Sequence, residues 1–462
     1  MQHFDLAIVG TGSGNSIVDD RFADWNVALI ERGTFGGTCL NVGCIPTKMF
    51  VHTAELAGTP AASAALGVDS ELQGVRWPDV RDRIFGRIDP IAQGGRRYRI
   101  EGSPNVTVFE GTGRFVGDKT LTVTGRGAEE QTITADRFVL AAGSRPVIPA
   151  VPGMAEVGAH TSDTIMRLEK LPERMVILGG GFIAAELAHV FGSFGVEITM
   201  VTRSGALLRH EDLDVSRRFS ELAADRWDVR FDQTITSVER QGDLVRVHSQ
   251  GPGGATCAEG EVLLVAAGRV PNSDLLRLDR TGVRTHPDGR VVVDEYQRTD
   301  VEGIWALGDL SSEYQLKHVA NHETRIVQHN LLHPEAPRAS DHRFVPHAVF
   351  SAPQVASVGV SEQEAKIRGL RYVTATQDYA DIAYGWAMED TTGFCKLIAD
   401  PDDGRLLGAH IIGPQASTLI QPLIQAMSFG LDVRRMARDQ YWIHPAMPEL
   451  VENALLKLPL PG

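Results

Sequence analysis

An apolar run, Phe4 to Val9, enters Gly10-Thr11-Gly12-Ser13-Gly14, continues through Ser16 to Trp25, and is followed by a second apolar run, Val27 to Ile30, ending in Glu31. Short apolar runs punctuated by glycine predict strand, glycine turn, helix, strand. The same grammar returns 169 residues later, at Met175 to Leu178, Gly179-Gly180-Gly181, Phe182 to Phe194 and Val196 to Val201. That spacing is too long for a solenoid repeat and predicts two nucleotide-binding domains in tandem. A second echo supports the split: Arg137 to Gly143 (RFVLAAG) and Glu261 to Gly268 (EVLLVAAG) are buried-strand runs, each followed by a basic residue and a proline, and each is read as closing a nucleotide domain. Pro-rich Val147 to Gly153 and polar His333 to Arg343 mark hinges, so boundaries fall near 150, 275 and 345. Beyond an alternating region from Val345 to Val360, strands around Thr374, Lys396 and His410 and a helical stretch from Ser417 to Phe429 predict a closing α+β domain. The expected fold is therefore α/β, two tandem Rossmann-like domains with a C-terminal α+β domain.

Length and composition narrow the function. The 462 residues predict about three domains of roughly 150 residues, which excludes a single small binding module. A net charge of −14 leaves no electrostatic footprint for nucleic acid or an anionic membrane. No apolar run approaches the roughly 18 residues that span a bilayer. The N-terminal stretch carries Asp5 and no basic leader, so it is not read as a signal peptide. Four cysteines are too few for a disulfide scaffold, and a cytoplasmic location is expected, where a close cysteine pair is more often catalytic than structural.

The candidate chemistry begins at the glycine turns. Gly10, Gly12 and Gly14 follow a strand, and Glu31 lies 21 residues beyond Gly10, where a carboxylate can accept ribose hydroxyls. Asn15 takes the third glycine position of the G-x-G-x-x-G pattern, which keeps helix and strand from approaching as closely there. The second turn reads Gly179-x-Gly181-x-x-Ala184, but the acid after the next strand is missing; Thr202-Arg203 stands there, with Arg209 six residues further. Guanidinium forks fit a 2′-phosphate that a carboxylate would repel, so this site is expected to take NADPH.

Cys39-Leu-Asn-Val-Gly-Cys44-Ile-Pro46 is the sharpest local signal. A zinc site would want C-x2-C spacing with a second Cys or His pair nearby, and Cys257 and Cys395 are single and remote, so no metal is expected. Pro46 suits the first turn of a helix, which puts Cys44 at a helix N-terminus where the partial positive charge favours thiolate. A disulfide across the four intervening residues would be small and open to exchange, as a redox relay requires. Cys257 and Cys395 read as buried small hydrophobes.

In order along the chain stand GTGSGN at Gly10, GGTCLNVGCIPTK from Gly36 to Lys48, AAGSRP at Ala141, GGGFIAAE at Gly179, AAGRVPN at Ala266, GIWALGD from Gly303 to Asp309 and HPAMPE from His444 to Glu449. The ordered set covers essentially the whole chain and resembles the flavoprotein disulfide reductases, the family of glutathione reductase, dihydrolipoamide dehydrogenase and mercuric reductase. The resemblance implies an FAD-binding domain over 1–150, an NADPH-binding domain over 151–275, a central domain completing the FAD site over 276–345 and a dimerisation domain over 346–462. It implies that Asp309 holds the flavin ribityl chain, that Glu31 binds the adenosine ribose, and that Gly10, Gly12, Ser13, Gly14, Gly37, Thr38, Gly143, Gly179, Gly181, Gly268, Arg203 and Arg209 line the two dinucleotides. Cys44 becomes the flavin-proximal thiol and Cys39 the interchange thiol. Lys48 pairs with Glu186 near the flavin N5, and His444, oriented by Glu449, is the acid-base group. By the same resemblance that histidine serves the partner subunit of an obligate homodimer.

Two subtractions narrow the substrate. No cysteine follows Cys395, and no metal-binding C-x-x-C domain precedes residue 10, so a small-molecule disulfide must reach Cys39 itself. Where glutathione reductases carry arginine for the substrate carboxylates, this chain has Ile17-Val18-Asp19-Asp20, which argues against glutathione and suits an amine or sugar hydroxyls. With LKHVANHE at Leu316, AYGWAMED at Ala383 and QYWIHPAMPE at Gln440, these departures resemble the mycothione reductase branch, which reduces the disulfide of a cysteinyl-glucosamine-inositol thiol. Tyr384, Trp386, Tyr441 and Trp442 are candidates for a polyol pocket or for core. The alternative is a dihydrolipoamide dehydrogenase serving as a subunit of a multienzyme complex; the two part on cofactor direction and on Arg203 and Arg209.

Overall fold

The opening apolar run becomes the strand Gln2–Val9, central in a seven-stranded sheet of the computed structural model, which describes residues 1–125 and 129–460. Val27–Glu31 and Gln131–Leu140 flank it in parallel, Val106–Glu110 extends the sheet beyond Val27–Glu31, and Ile304–Ala306 adds in parallel to Gln131–Leu140. Parallel strands are covered on both faces, which is why these runs read as continuous rather than alternating apolar sequence. Their carboxyl ends deliver Gly10, Glu31, Ala141 and, just past Ile304–Ala306, Asp309 to one edge of the sheet, the usual place for a ligand in open parallel sheets.

The helix expected over Ser16 to Trp25 does not form. Two short 3-10 turns, Ser13–Ile17 and Asp20–Phe22, take its place. Distant side chains consume the carbonyls a helix would use: Arg99 donates to the carbonyls of Asn15 (2.7 Å) and Val18 (2.9 Å), and Gln328 donates to that of Ile17 (2.7 Å). Asn15 also accepts from Arg99 Nε through its own Oδ1 at 2.8 Å, so the residue standing where glycine was expected anchors this guanidinium.

The chain divides into two compact units. The first comprises Met1–Thr47, Arg81–Val147 and Gly268–His342; the second comprises Lys48–Val80, Ile148–Ala267 and the chain from Arg343 on. The two Ala-Ala-Gly echoes have a common physical basis. A Cβ on Gly10 (φ +109°) would stand 2.3 Å from the Ala141 carbonyl oxygen, and one on Gly179 (φ +136°) 2.2 Å from that of Ala266. Each first glycine thus packs on the first alanine of its echo, where only a hydrogen fits. The segments following the echoes pair with each other, Ser144–Pro146 running antiparallel to Arg269–Pro271 in the first unit.

In the second unit a four-stranded parallel sheet runs Asp228–Arg230, Glu197–Val201, Arg174–Leu178, Val262–Val265, beside a three-stranded antiparallel sheet. The C-terminal segment builds a five-stranded antiparallel sheet in the order His347–Val349, Val355–Gly359, Leu406–Ile412, Phe394–Ala399, Val373–Asp378, so the strands expected around Thr374, Lys396 and His410 form. Helices Ala416–Leu419, Gln421–Phe429 and Glu449–Leu456 supply Leu419, Leu423, Leu450 and Val451 to its core, with Cys395 buried as expected. Cys257 departs from expectation: it is exposed on the edge strand Gly254–Gly260, where the pleat turns Ala258 inward and its neighbour out. Among the described residues no helix is long and apolar enough to cross a membrane.

Candidate active site

Cys39 lies on the short helix Gly37–Asn41, and Cys44 is the first residue of the helix Cys44–Ser63. Pro46 in the first turn lacks only an N–H that has no intrahelical partner anyway. Cys44 is exposed and Cys39 partly buried. The hydrogen bond with the Cys44 side chain, and after it burial, push the Cys39 thiol well above its ordinary range, while the nearby Lys317 ammonium pulls the other way.

Around this pair the first unit gathers most of the residues expected at the flavin. A Cβ on Gly37 would meet Gly12 Cα at 2.7 Å, so two glycine loops approach backbone to backbone. Gly10 packs on the Ala141 carbonyl and Gly37 on Gly12, so the backbone is close-packed at this turn, and Thr38 follows in the first turn of the next helix. Ser13 is buried, accepts from Lys317 Nζ (2.8 Å) and donates to Asn321 Oδ1 (3.1 Å). Gly14 packs against Ala141, and Glu31 accepts from Thr11 N (2.9 Å), Thr11 Oγ1 (2.6 Å) and Gly33 N (2.7 Å). Glu31 thus holds the turn's shape. Asp309 accepts from Ser144 Oγ at 2.6 Å; Arg269 donates to the same hydroxyl at 2.8 Å. The Gly143 carbonyl accepts from Asn272 N, and that of Gly268 from Val147 N. These residues fit FAD.

One turn along the helix from Cys44, in the second unit, Lys48 Nζ contacts both carboxylate oxygens of Glu186 at 2.6 and 2.7 Å. Glu186 is only 6% exposed. It also accepts from Phe350 N at 2.9 Å, and the Phe350 ring lies 4.3 Å from the ammonium. Phe350 went unnoticed in the sequence because its contribution is a backbone N–H and a ring face, neither of which has a motif.

Gly179 and Gly181 lead into the helix Phe182–Ser193, whose N-cap, Gly181, is extended and supplies no side-chain cap, leaving the first N–H groups open to a phosphate. The loop after Glu197–Val201 folds back on this turn, with Leu208 N donating to the Gly180 carbonyl at 2.7 Å. Arg203 and Arg209 are exposed on that loop. The arrangement fits a dinucleotide carrying a 2′-phosphate.

His444 also lies in the second unit. Its Nδ1 is 2.6 Å from Glu449 Oε1, and Ala446 N donates to the other carboxylate oxygen at 3.3 Å. Glu449 is 15% exposed and the His444 side chain 70% exposed, so an oriented imidazole is presented outward. Tyr441, Ile443, Trp386 and Phe429 are exposed apolar groups of the same C-terminal segment. Tyr384 is exposed too, whereas Trp442 is partly buried against the core and donates to the Ala437 carbonyl. In the first unit, Asp19 is no open carboxylate: it accepts from Arg21 and Gln328. Both acids read there are exposed, Asp19 while engaged by Arg21 and Gln328.

Residues 4–324 match the family model described as pyridine nucleotide-disulphide oxidoreductase, and residues 345–455 match the dimerisation domain of the same family. Mycothione reductase of Mycobacterium tuberculosis is 53% identical over 466 residues, covering 99% of this chain and 100% of that protein. Dihydrolipoyl dehydrogenase of Corynebacterium glutamicum is 32% identical over 98% of this chain and 97% of its own length. The Cu(II) complex of the HOCl-induced flavoprotein disulfide reductase RclA from Escherichia coli has a TM-score of 0.86 at 27% sequence identity, covering 99% of both chains.

Proposed function

Because the chain belongs to the pyridine nucleotide-disulphide oxidoreductase family, and is a dimeric flavoprotein disulfide reductase, we propose that its Cys39–Cys44 pair carries two electrons from NADPH to mycothione and releases two molecules of mycothiol. The observation that carries the substrate is the full-length match to mycothione reductase. Dihydrolipoamide dehydrogenase, the alternative, is disfavoured by Arg203 and Arg209 in place of the acid that would select NADH. In this reading the seven-stranded sheet takes FAD and the four-stranded parallel sheet NADPH, as tandem Rossmann-like domains with boundaries near 150, 275 and 345, and the enzyme works in the cytoplasm.

FAD, when bound, supplies the two-electron relay from the nicotinamide to the Cys39–Cys44 disulfide. The Lys48–Glu186 pair fixes a cation one helical turn from Cys44. With the pair reduced, His444 of the partner subunit takes the Cys39 proton, and the resulting thiolate attacks one sulfur of the substrate disulfide, forms a mixed disulfide and expels the first thiolate. His444 of the partner subunit gives that leaving group a proton. Cys44 thiolate then attacks the Cys39 sulfur, restores the Cys39–Cys44 disulfide and expels the second thiolate, which is protonated in turn. The sum consumes one NADPH and one proton per disulfide and yields two thiols.

Steady-state reduction of mycothione, glutathione disulfide and lipoamide, each with NADPH and NADH, tests the proposal. Mycothione with NADPH is expected to give the highest kcat/KM; equal or better reduction of lipoamide with NADH overturns it. The thiol roles have their own test. In the two-electron-reduced holoenzyme, Cys39→Ser keeps the long-wavelength absorption of a thiolate beside flavin and Cys44→Ser abolishes it; the reverse pattern exchanges the two assignments.

A further inference from the structure

The loop carrying Arg203 and Arg209 is fastened at both ends, and the second fastening belongs to another part of the fold. Near the glycine turn, Leu207 and Leu208 are buried, and Leu207 N donates to Ser220 Oγ at 2.8 Å. Immediately after Arg209 the chain turns inward at Glu211 and Asp212, both buried. Their polar groups are met by residues of the C-terminal segment. Glu211 Oε1 lies 2.7 Å from His347 Nε2, and Ser357 Oγ donates to Oε2 at 2.6 Å. The Gln363 amide spans the same stretch of backbone, donating to the Glu211 carbonyl (2.8 Å) and accepting from Leu213 N (3.2 Å). Asp212 contacts Lys396 Nζ at 2.9 Å and accepts from Glu362 N at 2.9 Å. Lys396 is 4% exposed and also meets Asp214 (2.6 Å) and Glu362 (2.7 Å).

Buried charge of this density is an inefficient way to hold a fold together, because desolvating ions costs about as much as their attraction returns, and well-packed apolar residues do as well or better. What such a network does supply is direction, since several hydrogen bonds converging on one carboxylate from separate segments fix its place more closely than apolar contact does. Direction is what a phosphate-reading arginine needs. A guanidinium fork discriminates by paired, aligned hydrogen bonds, and displacement of its backbone forfeits them.

We propose that Gln363, Ser357, His347 and Lys396 are positioning residues for the arginine loop, so that preference for a 2′-phosphorylated nicotinamide is set in part from the dimerisation domain. This inference rests on the reading of Arg203 and Arg209 as the 2′-phosphate contacts. None of the four touches the cofactor; each acts through Glu211, Asp212 or Leu213. Because stripping the cation from three carboxylates at Lys396 endangers the fold, the test uses Ser357→Ala, Gln363→Ala and their double variant, which remove neutral anchors. Measured on the holoenzyme with matched flavin content and melting temperature, the double variant is expected to raise the KM for NADPH by roughly tenfold, while KM for NADH and kcat stay unchanged. A KM for NADPH equal to that of the unmodified enzyme overturns the proposal, as does an equal rise for both nicotinamides, which would mark general loosening. Alanine at both Arg203 and Arg209, assayed alongside, separates the two failures. If that variant loses the preference and the anchor variants keep it, the positioning role falls and the arginine reading stands; if it keeps the preference, both fall.

Discussion

Replacement of His444 by alanine lowers disulfide turnover by roughly a hundredfold to ten-thousandfold, the usual loss of an acid-base group, while reduction of the flavin by NADPH proceeds at its normal rate. The asymmetry follows from where protons are needed. A leaving thiolate, whose conjugate acid has a pKa of about 8.5, must be protonated, and imidazole is the side chain whose ordinary range suits both giving and taking that proton near neutrality. Glu449 holds Nδ1 at 2.6 Å, leaving Nε2 as the nitrogen that exchanges protons. Hydride entry precedes any need for that exchange. Assembly is tested with the same variant. Subunits carrying Cys39→Ser mixed with subunits carrying His444→Ala give heterodimers in which one of two sites is intact, whereas neither parent homodimer has any. Stopped-flow flavin reduction and disulfide assays on purified heterodimers decide the matter: no recovered activity places the histidine in its own subunit's site, and slowed flavin reduction in His444→Ala gives it a different role.

Alanine at both Arg203 and Arg209 erases most of a preference for NADPH over NADH that is expected to lie between about a hundredfold and ten-thousandfold. Two charge-assisted hydrogen-bonding contacts of about 1.5 to 3 kcal/mol each supply that range. Both guanidiniums are exposed on a loop that folds against Gly180, so their removal costs binding energy and little folding energy. The loss is read as a change in the ratio of kcat/KM for the two nicotinamides. An unmodified enzyme equally efficient with NADH contradicts the assignment before any variant is made.

Where the deciding physics was local, the sequence carried it. The glycine turns, the apolar strands leading into them, the helix start at Cys44 and the His444–Glu449 spacing all depend on neighbours within a few residues, and each has the expected local geometry. The failures share the opposite cause. The helix after the first glycine turn is lost to Arg99 and Gln328, which approach from far along the chain. Cys257 faces out because the register of its strand turns Ala258 to the core and its neighbour to solvent, a matter of tertiary packing rather than residue type. Lys396 was recognised as the centre of a strand, but its three carboxylates come from two distant segments. Phe350 joins the Lys48–Glu186 pair through a backbone N–H available to almost any residue.

The ladder between Ser144–Pro146 and Arg269–Pro271 makes everything from Ile148 to Ala267 an insertion whose two ends leave and re-enter the first unit side by side. On the ribosome this fixes an order of events. Gln131–Leu140 emerges early, yet its parallel neighbour Ile304–Ala306 is translated only after the whole insertion. The carboxyl half of Gln131–Leu140 therefore waits unpaired on one side while the inserted segment condenses, and long-range parallel pairing of this kind is slow and prone to aggregation. Nascent chains stalled before Ile304 should be the aggregation-prone species in the synthesis of this enzyme.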